Sequence, residues 1–251
     1  MTTLIEIPTA DGTAETYVAR PDGPSDHPGV LLFMDAFGLR PQIEAMADRI
    51  ASWGYVVIAP NLFFRSGRAA DLIPRTDLRA PGEREKLFAE IGPRLQPLTS
   101  DVMDADSAAY VTALRHLDGV SSGPFGVTGY CMGARWATRV AGTQAAEVAA
   151  VGAFHGGRLI TDAADSPHLQ LAHARADFVY GHADNDASMP PESVAALSEV
   201  LDSHGLRATN EIYPGTAHGY TMADTSAYDE SGAERHYAEL RTLLERTLVQ
   251  S

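Results

Sequence analysis

One cysteine occurs in the 251 residues, Cys131, and it stands inside Gly129-Tyr130-Cys131-Met132-Gly133. The apolar run Pro124–Thr128 before it reads as a buried strand, and Ala134–Ala141 after it reads as a helix. Glycine, one residue, nucleophile, one residue, glycine at a strand-to-helix turn is the pattern of a nucleophile elbow, with glycines where a Cβ would collide with backbone as the chain reverses. The unsatisfied amides and positive dipole end of the helix favour a thiolate, the reactive form of the side chain. A thiol nucleophile needs a base to take its proton and a carboxylate to orient that base. His218, set among the small residues of Gly215-Thr216-Ala217-His218-Gly219, is the candidate base. Asp184, in Gly181-His182-Ala183-Asp184-Asn185-Asp186, is the candidate acid, with Asp186 its competitor in the same loop. The pentapeptide alone fits an inert cysteine between packing glycines equally well. What points to acyl transfer is that nucleophile, acid and histidine follow one another in an order that the chemistry uses.

That chemistry needs an oxyanion hole of two amides, expected from Met132 and from Ala36, which follows the strand Gly29–Met34. Asp35 should end beside the thiol, although an aspartate at a strand end also serves as a helix cap or loop acid. His155 and Tyr130 are candidate pocket residues, with core packing an equal reading for the tyrosine, and Phe37 belongs to the same candidate lining. His182-Ala183-Asp184-Asn185-Asp186 lacks the glycine and distal glutamate of a calcium loop. No dinucleotide or phosphate-loop glycine pattern and no H-E-x-x-H is present, so the expectation is no metal and no cofactor.

These residues must be carried by elements that end together. Residues 3–7 and 14–20 flank Asp11-Gly12 and read as an antiparallel hairpin. Residues 29–34, 55–60, 124–128, 149–154, 176–181 and 209–213 are short apolar strands, separated by helical spacing at 41–53, 100–116, 134–141, 190–203 and 232–248. Such alternation predicts an α/β fold with a mostly parallel sheet, helices on both faces and an antiparallel N-terminal edge. Ligands then collect beyond the carboxyl ends of the strands, where Asp35, Cys131, His155, Asp184 and His218 all fall. The stretch 61–99 has four prolines, no single period and one short helix near 83–91, and is expected to be a cap-like excursion within a single domain spanning 1–251.

The formal charge of −14 disfavours nucleic acid or an anionic membrane as partner. No 18-residue apolar run exists, and Met1-Thr2-Thr3-Leu4 has no basic-then-apolar character, so a soluble cytoplasmic protein is expected, monomer or homodimer. A lone cysteine suits a reducing compartment. Charge is uneven: residues 61–100 hold seven basic against five acidic side chains. Any anionic substrate is therefore expected to meet arginines of this segment.

The chain resembles the dienelactone hydrolase family of the α/β-hydrolase fold. The resemblance rests on the elbow Gly129–Gly133, the acid turn Gly181-His182-Ala183-Asp184, the histidine turn Ala217-His218-Gly219, and Asp35-Ala36-Phe37-Gly38, where the family carries a glutamate that contacts the resting thiol. It implies hydrolysis of an enol-lactone or similar small-molecule ester through an acyl-cysteine. The family also binds a substrate carboxylate with arginines, one of them four residues past the histidine, where this chain has Met222. The expected replacements are Arg40, Arg65, Arg68 and Arg79. Met222 and Asp35 motivate the alternative of an idle scaffold that binds a small ligand, and the lone thiol a redox sensor.

Overall fold

The computed structural model describes residues 3–23 and 25–248. Met1 and Thr2, read above as lacking a leader, and Pro24 lie outside them. The chain opens with β1 (Thr3–Thr9) and β2 (Gly12–Ala19), paired antiparallel across Asp11-Gly12. It continues through β3 (Gly29–Phe33), α1 (Pro41–Ala51), β4 (Val56–Pro60), the short helices α2 (Ala69–Leu72), α3 (Glu83–Glu90) and α4 (Gly92–Leu95), and α5 (Ser100–Arg115). Then come β5 (Phe125–Tyr130), α6 (Met132–Thr143), β6 (Val148–Phe154), a 3-10 turn at Pro167–His173, β7 (Asp177–Ala183), α7 (Pro191–Ser203), β8 (Ala208–Tyr213) and α8 (Glu230–Leu248).

All eight strands join one sheet in the order β1-β2-β4-β3-β5-β6-β7-β8. β2 meets β4 antiparallel, and every later pairing is parallel. The mostly parallel sheet with an antiparallel N-terminal edge is as the residue pattern implies. β3, β4 and β5 are buried at every position, which explains why they read as continuous apolar runs rather than alternating ones. α1 and α8 cover one face and touch through Arg49–Glu234 and the Trp53–Tyr237 ring contact; α5 and α6 cover the other. No described helix is long and apolar enough to cross a membrane.

The excursion at 61–99 contains α2, α3 and α4 and folds back over the strand ends, bringing Arg84, Phe88, Leu95 and Leu98 to the cavity described below. Only α3 was legible, because α2 and α4 are single turns too short to show a period.

Candidate active site

Cys131 sits between β5 and α6 with φ 54° and ψ −112°, a conformation an L-residue adopts only when its surroundings hold it there. Two approaches of backbone do the holding. A Cβ on Gly129 would lie 2.1 Å from the Gly133 carbonyl oxygen, and one on Gly133 would lie 2.2 Å from that of Phe33. The Cys131 amide donates to the Phe154 carbonyl at 3.0 Å, fixing the elbow to the end of β6. Met132 is the first residue of α6, so its amide has no acceptor within the helix. Together with Ala36 it lines the same cavity as the thiol.

His218 follows β8 and brings Nε2 to 3.0 Å from Cys131 Sγ. Its Nδ1 lies 2.6 Å from Asp186 Oδ2. The partner is therefore Asp186, not the Asp184 of the sequence reading. Asp184 is turned the other way: its Oδ2 accepts from the Gly215 amide at 2.9 Å and its Oδ1 from the Asn185 amide at 3.0 Å, so it ties its own loop to the turn after β8. The cause is local. Asn185 takes φ 54°, which reverses the chain between the two aspartates. Ser188 then donates both its amide and its hydroxyl to Asp186 Oδ1, at 2.8 and 2.6 Å. An asparagine suited to left-handed backbone, followed by Asp-Ala-Ser with its capacity for an Asx turn, was the available signal.

Burial works against the Asp186 charge, but His218 and the two Ser188 donors outweigh it and hold the carboxyl down at about 2. Burial likewise opposes charge on His218, and the Cys131 sulfur and Asp186 overcome it, so the imidazole is raised well above its ordinary range. Both shifts describe one polarised chain, sulfur to imidazole to carboxylate.

The other expected residues divide. Phe37 and His155 line a small inner recess with Cys131, His218 and Met222. His155 is fully buried, its Nε2 is 2.8 Å from Thr221 Oγ1, and its ring crosses that of His218 at 5.4 Å. Burial, then the neighbouring His218, keep its pKa well below the ordinary imidazole value. Tyr130 does not reach the site: strand alternation turns it to the α8 face, where it is buried against His236. Asp35 does not contact the thiol. Its two oxygens take Arg40 Nη1 and Nη2 at 2.5 and 3.1 Å, because a side chain one methylene shorter than glutamate stays within reach of the guanidinium. Arg40 is spent there and on Asp224 at 2.6 Å, is 2% exposed, and cannot meet substrate.

Arg65 is also elsewhere, clamped by Asp106 and Asp11, while Arg68 pairs with Glu15 and Arg79 donates to the Ala223 carbonyl. The arginines that do line the cavity are Arg84, Arg135 and Arg158. Arg84 comes from the basic segment and donates Nη2 to the His218 carbonyl at 2.7 Å. Arg135, one helical turn past Cys131, was readable from its spacing. Arg158 was not, since it depends on how the loop after β6 folds. The cavity holds about 550 Å³, and Phe88, Leu95, Leu98, Met103 and Met132 give it apolar walls. Among the described residues no group of three or more His, Cys, Asp or Glu side chains is placed to hold a metal ion.

Arg40 bridges the loop carrying Ala36 to the loop that follows His218. Replacing it by methionine strands the buried Asp35 carboxylate, and the expected cost is about 3–5 kcal/mol. Chemical denaturation reads this directly; an unchanged midpoint would remove the strut from the account.

A parallel sheet with an antiparallel edge, helices on both faces and a strand-to-helix elbow define an α/β-hydrolase. Within that class the chain matches the dienelactone hydrolase family over residues 14–248, and it belongs to that family of hydrolases. An Escherichia coli K12 protein named "Putative carboxymethylenebutenolidase" is 28% identical over 240 residues, covering 91% of this chain and 80% of that one. A Synechocystis protein of the same name is 24% identical over 254 residues, covering 98% and 97%. The "Putative Dienelactone Hydrolase" of Klebsiella pneumoniae has the same fold, with a TM-score of 0.79 at 22% identity, over 98% of each chain.

Proposed function

We propose that this protein hydrolyses carboxylic esters or lactones through an acyl-cysteine, with Cys131 as nucleophile, His218 as base and Asp186 as the carboxylate that orients it. The observation carrying this is the unbroken contact from Cys131 Sγ through His218 to Asp186, at 3.0 and 2.6 Å, opening on a cavity of about 550 Å³. Sulfur attacks the carbonyl carbon, a C–S bond forms, and the carbonyl electron pair moves to oxygen, where the Met132 and Ala36 amides stabilise it. The intermediate collapses, the C–O bond breaks, and His218 passes its proton to the departing oxygen. Water then attacks the thioester, giving its proton to His218, and the second intermediate collapses with the C–S bond breaking, so that the acid is released and the sulfur recovers the proton from His218. The curated relatives' name points to an enol-lactone, whose leaving oxygen stays tethered to the acyl group. An idle scaffold is not favoured, since Asp35 and Met222, which suggested it, lie beside this chain of contacts without interrupting it.

The test is a stopped-flow burst with para-nitrophenyl acetate. The expected result is about one equivalent of nitrophenol per chain, an acetyl adduct on the peptide containing Cys131, and loss of both in Cys131→Ala. Undiminished turnover by Cys131→Ala would sink the mechanism.

A further inference from the structure

The inner recess beside the thiol encloses about 20 Å³, against about 550 Å³ for the outer cavity. That is the room of one water. Most of its polar lining is already committed. Both Asp35 oxygens are taken by Arg40, Thr225 Oγ1 donates to the Met222 carbonyl and accepts from the Ala227 amide, and Cys131 and His218 hold each other. Two nitrogens are the exception. His155 Nδ1 and Arg84 Nε are both buried without a hydrogen-bond partner among the described residues. A buried polar atom left unpaired costs free energy, and two such atoms on side chains lining one recess call for a shared physical reason.

The two side chains come from distant parts of the sequence. His155 follows β6 with φ 39°, a conformation its surroundings must hold, and its Nε2 is fixed to Thr221 Oγ1 at 2.8 Å. Burial keeps the ring neutral, so one nitrogen carries a proton and the other a lone pair. Arg84 comes from α3, in the excursion. Its Nη2 donates to the His218 carbonyl, and its guanidinium passes over Gly219, where a Cβ would stand 3.8 Å from Nε. Gly219 lines the recess as well, and Phe37 and Met222 give it apolar walls.

We infer that the recess is a single-water site, held by His155 Nδ1 and Arg84 Nε, which supplies the water that hydrolyses the acyl-cysteine and excludes larger acceptors. This rests on the acyl-cysteine reading. Once the sulfur is acylated, His218 Nε2 is free to take a proton. The water oxygen accepts from Arg84 Nε, one of its hydrogens goes to the His155 Nδ1 lone pair, and the other is directed to His218 Nε2. As the oxygen forms its bond to the thioester carbonyl carbon, that second proton moves to Nε2; the C–S bond then breaks and the sulfur recovers the proton. The acyl chain meanwhile lies in the outer cavity against Leu98, Met103 and Met132, so acyl group and water occupy different compartments. An alcohol carries the same hydroxyl but exceeds the room of the recess, and the acyl group therefore passes to water.

The experiment follows para-nitrophenyl hexanoate by stopped flow, separating the burst, which reports acylation, from the steady state, which reports hydrolysis of the acyl-enzyme. Two variants each remove one contact to the water. His155→Phe keeps a ring against His218 and Tyr220, whose centroids lie 5.4 and 5.1 Å away. Arg84→Lys puts a methylene where Nε stands and leaves a cation to reach the His218 carbonyl. In both, the burst rate should stay within about threefold of wild type while the steady-state rate falls about 10- to 100-fold and acyl-enzyme accumulates by intact mass. If His155→Phe fails to fold, Arg84→Lys carries the test, since that side chain is partly exposed. With methanol added, wild type should release hexanoic acid alone, and Met222→Ala, which enlarges the recess, should also release methyl hexanoate. Unchanged steady-state rates in both variants, burst and steady state falling together, or methyl hexanoate from wild type would each overturn the water site. Absence of a burst and of a Cys131 adduct in wild type would instead overturn the acyl-cysteine reading, and the water site with it.

Discussion

Asp186→Asn is expected to lower kcat/KM for an aryl ester by about 10⁴-fold, while Asp184→Asn costs less than about tenfold. The two residues lie two positions apart in one loop, and the difference comes from what each carboxylate holds. Asp186 Oδ2, 2.6 Å from His218 Nδ1, keeps the proton on that nitrogen and leaves Nε2 facing the sulfur. An amide there can turn its NH₂ toward Nδ1 and force the wrong tautomer, and it removes the charge that stabilises the imidazolium. Asp184 accepts from two backbone amides, and the carbonyl of an asparagine can keep one of those bonds. A larger loss in Asp184→Asn would return the acid role to Asp184.

The same variant has a pH signature. His218 is raised above its ordinary 6.5, so its contribution to stability is complete below that pH and is lost as pH rises through the folded value. Asp186 is depressed from 3.8 to about 2, so its contribution is complete above about pH 4 and is lost as pH falls toward 2. The pair therefore stabilises the fold fully between roughly pH 4 and 6.5. In Asp186→Asn the thermal midpoint should flatten across both limbs, and the His218 ring protons should titrate at lower pH. An unchanged His218 titration would mean that the sulfur alone sustains the charge.

Cys131 and His218 were legible because each sits in a short run whose composition implies its geometry: two glycines around the elbow, and small residues around an imidazole at a strand end. The sheet was legible for a similar reason, since strands covered on both faces leave uninterrupted apolar runs. What failed depended on where a side chain points after the chain turns. The choice between Asp184 and Asp186 hangs on one left-handed residue, Asn185. Tyr130 was open to correction from alternation alone, since successive strand residues face opposite sides and its neighbour Gly129 faces α6. The arginines were misjudged because local charge density does not reveal partners: Asp11 and Asp106, which hold Arg65, are 54 and 41 residues away along the chain.

Gly133→Ala is expected to be among the most damaging single methyl additions in the chain. Its Cβ would stand 2.2 Å from the Phe33 carbonyl oxygen and 2.6 Å from that of Met34. Both are backbone atoms, so no rotamer change relieves the clash, and ordinary overpacking costs of about 1–3 kcal/mol understate it. Relief requires α6 to move away from the end of β3. That separates the Met132 amide, at the start of α6, from the Ala36 amide just beyond β3, so the two amides proposed as the oxyanion hole part as the core loosens. The expected outcome is a loss of more than about 4 kcal/mol, read as insoluble expression or collapse of the thermal midpoint. Gly92→Ala, whose Cβ would meet nothing within 4 Å, is the control for adding a methyl group and should fold as wild type does. If Gly133→Ala instead melts with Gly92→Ala and still forms the acyl-enzyme, α6 and β3 are not held in contact by this glycine. The close approach that aims Cys131 at the carbonyl would then have to come from Gly129 alone.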